Sequence, residues 1–90
     1  MYYVYVLRNQ DISTRSLYIG FSENLKRRLA EHLDGRGGQT TSRKKNWKLI
    51  YYEAYLLKED ALGREKFLKS GSGRRYIYKQ LVHYFDKGLD

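Results

Sequence analysis

The chain predicts a small α/β fold, an antiparallel three-stranded sheet flanked by three helices in the order ββαβαα. Three observations carry this. Runs of β-branched and aromatic residues recur at Tyr2–Leu7, Leu17–Gly20 and Trp47–Tyr55, which is strand composition. Apolar residues repeat at three- and four-residue spacing after Ser22, after Lys58 and after Arg74, the period of helices buried on one side. Polar and glycine-rich segments separate these stretches. The 90 residues make one domain, 1–90, without internal repeats or low-complexity segments.

Tyr2–Leu7 is apolar on both faces and is therefore expected at the centre of the sheet. Arg8–Ser16 is a hairpin-type connection with Asn9, Asp11 and Ser13 as turn formers, and Leu17–Gly20 is the partner strand. Ser22 is the expected N-cap of the first helix, with Glu23 in the first turn where a negative charge suits the helix dipole. That helix runs to about Asp34, buries Leu25, Leu29 and Leu33 as one stripe, and ends at Gly35 and the Gly37-Gly38 pair. Residues 35–46 form one long basic loop, a length more often functional than idle in a small domain. Trp47–Tyr55 is the third and longest strand. The second helix spans Lys58 to about Ser70, with Glu59 and Asp60 in its first turn; Gly63 inside it costs about 1 kcal/mol against alanine. Ser70-Gly71-Ser72-Gly73 predicts a break, and a third helix from about Arg74 to Phe85 buries Ile77, Leu81, Val82 and Phe85.

The formal net charge of +8 points to an anionic partner, with nucleic acid first among them. There is no cysteine, which excludes disulfides and thiolate metal sites, and a cytoplasmic setting is expected. No apolar run approaches the roughly 20 residues that span a bilayer, and the N-terminus has no basic and apolar leader pattern. A monomer or weak dimer is expected.

Two places stand out chemically. Arg28 and His32, four residues apart, share one border of the leucine stripe, while Lys26 and Arg27 point further toward solvent. A cation and an imidazole just beyond Gly20 suit a small phosphate-handling site. Glu65 falls on the apolar face defined by Ala61, Leu62 and Leu68, so its carboxylate needs a partner. That partner is either an internal cation, for example Arg28, or a divalent metal. A single hard oxygen ligand suits Mg²⁺ or Mn²⁺; zinc is disfavoured, because His32 and His83 are the only histidines. Tyr51, Tyr52, Tyr55, Tyr78 and Tyr84 are explained by packing, whereas Tyr3, Tyr5 and Tyr18 lie on the strands leading into the Arg28 helix. Arg43, Lys44, Lys45, Arg74 and Arg75 are candidates for holding a nucleic-acid backbone.

Tyr3-Val4-Tyr5, then Tyr18-Ile19-Gly20, then Arg28 and a helical Glu65 resemble the GIY-YIG nuclease family. The resemblance is strongest to its small free-standing bacterial members, related to the catalytic N-terminal domain of the excinuclease C subunit. It extends through Asn-Leu-Lys-Arg-Arg-Leu-Ala-Glu-His, Trp-Lys-Leu-Ile-Tyr-Tyr-Glu and Ala-Leu-Gly-Arg-Glu-Lys-Phe-Leu-Lys, and covers residues 2 to about 82. It implies the GIY-YIG fold and a metal-dependent, nickase-type DNA endonuclease. By position, it implies that Tyr5 and Tyr18 orient or deprotonate the attacking water, and that Arg28 and His32 contact the scissile phosphate. Glu65 would hold one Mg²⁺ or Mn²⁺. Three positions depart from the family pattern: Tyr3 stands where glycine is usual, Phe21 where the excinuclease group has lysine, and no asparagine follows Asn46. The alternative is a nucleic-acid-binding module that keeps the fold with little or no cleavage.

Overall fold

The computed structural model describes residues 1–10, 16–33 and 47–88. Strands β1 (Tyr2–Asn9), β2 (Leu17–Ser22) and β3 (Trp47–Tyr55) form one antiparallel sheet in the order β2-β1-β3. The strand expected at the centre is at the centre, and both outer strands pair with it. Alternation along β1 sends Val4 and Val6 to one face and Tyr5 and Leu7 to the other. Val4 and Val6 join Leu17, Ile19, Ala61, Leu68 and Ile77 in the larger core. Tyr5 and Leu7 join Trp47 in a smaller one, closed by Tyr18, Leu25, Leu29 and Leu49.

Helix α1 (Leu25–Leu33) covers the smaller core, and α2 (Lys58–Lys69) and α3 (Gly71–Gln80) cover the larger. Between Val6 and Leu7 the register against β3 shifts by one residue, so Val6 faces Tyr51 and Leu7 faces Leu49. Ile50 is the extra residue of this β-bulge.

Several element ends differ from the sequence expectation. Ser22 is the last residue of β2 rather than a helix cap; its Oγ accepts from the Asn24 backbone N–H at 3.0 Å. Asn24 caps α1 instead, its Oδ1 accepting from the Arg27 N–H at 3.0 Å, so Glu23 precedes the helix. Strand pairing of Phe21 and Ser22 with Val4 and Tyr3 outcompetes the earlier helix start. Gly71-Ser72-Gly73 is the first turn of α3, not a break. The chain breaks only at Ser70, whose Oγ accepts from the Gly73 N–H at 3.1 Å. Gly73 is needed there because a Cβ would meet the backbone of Phe67 and Leu68. The expected third helix is two helices, α3 and the short α4 (Val82–Asp86), parted at Leu81. Consequently Val82 is 41% exposed rather than buried, and Leu62 on α2 is 40% exposed.

Candidate active site

Tyr5 lies directly across from Gly20 in the β1–β2 ladder, and its ring occupies the space a side chain at position 20 would fill. The glycine thus lets a fully buried tyrosine lie across the neighbouring strand and aim its hydroxyl at α1. There Tyr5 Oη lies 2.9 Å from His32 Nε2. His32, Tyr5 and Tyr18 form a ring cluster, with His32 edge-on to Tyr5 at 5.7 Å and to Tyr18 at 5.3 Å between centroids. Tyr18 in turn meets Trp47 at 6.2 Å.

Arg28, one helical turn before His32, lies near enough to the Tyr5 hydroxyl to pull its pKa down and donates to Glu31 Oε1 at 2.9 Å. It is half-buried, at 31% side-chain exposure against 68% for Arg27, as the leucine stripe predicted. Burial pushes the Tyr5 hydroxyl up to about 12, against the opposing pull of Arg28. Burial, followed by the positive charge of Arg28, holds His32 below its ordinary value of 6.5. At neutral pH the cluster is therefore a neutral phenol, a neutral imidazole and a guanidinium.

Glu65, on α2, is close enough to Tyr5 that its charge contributes to the raised tyrosine pKa. Its carboxylate is 20% exposed and lies 3.1 Å from Lys69 Nζ, which is 55% exposed. The cation beside Glu65 is thus Lys69 rather than Arg28. The expected place at the centre of the apolar face becomes its border, because Leu62 is turned outward. No group of three or more His, Cys, Asp or Glu residues among the described residues could hold a metal. A lone, partly exposed carboxylate fits Mg²⁺ or Mn²⁺, which retain waters and share phosphate oxygens, and does not fit zinc.

Arg74 and Arg75 fall in the first half of α3, and the Arg75 guanidinium donates to Ser72 Oγ at 3.1 Å. The described contacts do not join them to the Tyr5 cluster. Arg43, Lys44 and Lys45 lie outside the described residues, as does the side chain of Leu33.

One cluster has no counterpart in the sequence reading. Alternation along β3 after the bulge places Tyr51, Glu53 and Tyr55 in one row facing α2. Both tyrosine hydroxyls donate to Glu53, and Arg64 donates to both of its oxygens at 2.9 Å. The signal was present as Tyr-x-Glu-x-Tyr on a strand, a carboxylate on a face otherwise filled by aromatic rings.

Fold and cluster together define a small α/β domain that gathers phenol, imidazole and guanidinium around one hydroxyl, with a lone carboxylate on a neighbouring helix. A family model described as the GIY-YIG catalytic domain matches residues 1–77, and the chain belongs to that family. It is 41% identical over 91 residues to a UPF0213 protein of Limosilactobacillus reuteri, covering 99% of this chain and 88% of that one. It is 40% identical over 67 residues to a UPF0213 protein of Streptococcus pneumoniae serotype 4; that match covers 74% of this chain and 65% of the relative, just under two thirds of its length. A UPF0213 protein of Bacillus halodurans, solved in solution by NMR, superposes with a TM-score of 0.52 at 32% identity, over 91% of this chain and 82% of that one.

Proposed function

We propose that the chain is a metal-dependent endonuclease that hydrolyses DNA phosphodiester bonds, cutting one strand at a time. The observation that supports this most directly is the 2.9 Å contact between Tyr5 Oη and His32 Nε2, with the charge of Arg28 acting on the same hydroxyl. A neutral imidazole carries one accepting nitrogen; with Nε2 in that role the phenolic proton is directed at it. A phenol held near 12 is a poor base by itself. With a neutral imidazole behind it, Tyr5 takes the proton of the attacking water as its own proton passes to Nε2. The water oxygen then bonds to phosphorus as the P–O ester bond breaks, and the leaving oxygen takes a proton from solvent. His32 returns its proton to solvent after the cut, which burial of the ring favours. Arg28, a planar fork for phosphate, meets charge that grows on the phosphoryl oxygens. Tyr18 braces the imidazole by edge contact. Glu65 would hold Mg²⁺ or Mn²⁺, and the metal would supply Lewis-acid stabilisation of developing negative charge.

The alternative, binding without cleavage, draws support from Lys69, which meets the need of Glu65 for a cation. A nicking assay on supercoiled plasmid, with Mg²⁺, with Mn²⁺ and with chelator, separates the two readings. Metal-dependent relaxation is expected. Arg28→Ala should lower it by about 100-fold or more, and Arg27→Ala by less than about two-fold, since an exposed arginine adds only general attraction. Equal losses would place the wrong face of α1 against the phosphate, and no cutting by the parent would favour the binding module.

A further inference from the structure

Glu53 and Arg64 take no part in the mechanism above, yet they form the most fully paired ionic contact among the described residues. The Glu53 carboxylate receives both Arg64 bonds and both tyrosine hydroxyls. The guanidinium also lies against two partly exposed rings, 4.6 Å from the centroid of Tyr76 on α3 and 5.4 Å from that of Phe67 on α2. Its side chain is 23% exposed and that of Glu53 16%. A surface ion pair has neither this number of partners nor this packing.

The place of the pair on α2 gives it a consequence. At about 100° per residue, Arg64 and Glu65 flank opposite sides of the stripe formed by Ala61 and Leu68. Those two are the only buried residues of α2, so apolar packing alone fixes the rotation of the helix weakly. Arg64 ties one flank to β3, and the other flank carries Glu65 toward Tyr5. With side chains reaching about 5–6 Å from a helix axis, a 15° rotation moves the Glu65 carboxylate by about 1.5 Å. Displacements of that size matter for a group that must meet a reacting centre.

We propose that the Arg64–Glu53 clamp is a positioning device: it sets the rotation of α2 and so holds the Glu65 carboxylate where metal and scissile phosphate meet. The inference rests on the assignment of Glu65 above, and neither clamp residue touches the substrate. Bidentate geometry is the essential property, so Arg64→Lys, which keeps the charge and loses the fork, is the informative change.

The test uses the full chain and two readouts. Titration with Mn²⁺ while recording amide NMR signals reports metal near Glu65 through paramagnetic broadening, without any cleavage. Steady-state nicking separates kcat from KM. Arg64→Lys should raise the Mn²⁺ concentration for half-broadening by about five-fold or more and lower kcat by about ten-fold, with KM for DNA within two-fold. Ile77→Val, which thins the larger core without touching the clamp, should do neither at a comparable loss in Tm. Tyr55→Phe, which removes one of the donors to Glu53, should give a smaller change in the same direction and serves if Arg64→Lys does not fold. Loss of Tm alone, or a loss appearing in KM, would overturn the clamp while leaving the nuclease reading intact. A parent that neither cuts nor shows Mn²⁺ broadening near Glu65 would overturn both.

Discussion

His32 sits 2% exposed with its Nε2 on the Tyr5 hydroxyl, and a buried neutral imidazole has a stability signature. Its folded pKa lies below 6.5, chiefly through burial. Below pH 6.5 the unfolded chain takes up a proton that the folded chain refuses. Stability is therefore fully present above 6.5 and is lost as pH falls toward the folded pKa, by at most about 1.4 kcal/mol per pH unit. Melting curves between pH 8 and 5 should show this slope for the parent, and His32→Gln should flatten it; an equal slope in both would mean the ring is charged in the fold. Glu65 gives the complementary case. Its cation, Lys69, is 55% exposed and four residues away, so Glu65→Gln strands no buried charge. It should change stability by less than about 0.5 kcal/mol while abolishing Mn²⁺ binding and nicking. A loss above about 2 kcal/mol in thermal melts would make Glu65 a structural residue. Sequence reasoning placed Arg28 and His32 together because a four-residue helical spacing is local. It left the cation beside Glu65 open, with Arg28 as the example where the structure has Lys69, because which way Leu62 and Lys69 turn depends on how α2 meets the sheet.

The helices show where glycine carries information. Gly63 is exposed inside α2, and a Cβ there meets nothing within 4 Å. Gly63→Ala should stabilise the protein by about 0.5–1 kcal/mol, the ordinary propensity difference. Gly73→Ala should destabilise it by about 2 kcal/mol or more, because the added methyl meets backbone rather than a side chain that can move. Chemical denaturation of the two variants tests both signs, and a similar sign in both would mean that α3 does not approach α2 as described. All three strands were legible in composition, as was the central place of β1, since its apolar residues on both faces have no other home. The start of α1 was not. Ser22 and Asn24 are both good caps, and the choice between them is made by the pairing of Phe21 and Ser22 with β1, a contact distant in sequence. The split of the last helix at Leu81 was equally hidden, because Leu81, Val82 and Phe85 keep helical spacing across it.

At the scale of the whole molecule, the net charge of +8 is the dominant property. It predicts sequence-independent DNA binding that weakens steeply with salt, each phosphate contact adding about 0.9 to the slope of log K against log salt. Replacing Arg43, Lys44 and Lys45 with neutral residues should reduce that slope by up to about 2.7, read by fluorescence anisotropy across a salt series. An unchanged slope would move the binding surface to Arg74 and Arg75. No helix among the described residues is long and apolar enough to cross a membrane.

The bulge at Ile50 gives β3 two reading frames. Before it, odd-numbered residues (Trp47 and Leu49) pack with Tyr5; after it, odd-numbered residues (Tyr51, Glu53 and Tyr55) face α2. Deleting Ile50 would only straighten the ladder, since Leu49 and Tyr51 already face adjacent residues of β1. Deleting Tyr52, beyond the bulge, would do far more than remove a ring. It would transfer Glu53 to the opposite face of the sheet, leave Arg64 without its carboxylate and bring a second charge toward Tyr5. Chimeras that exchange segments with relatives of this chain should tolerate junctions on either side of the bulge when both parents carry it. They should fail wherever a junction joins one frame to the other.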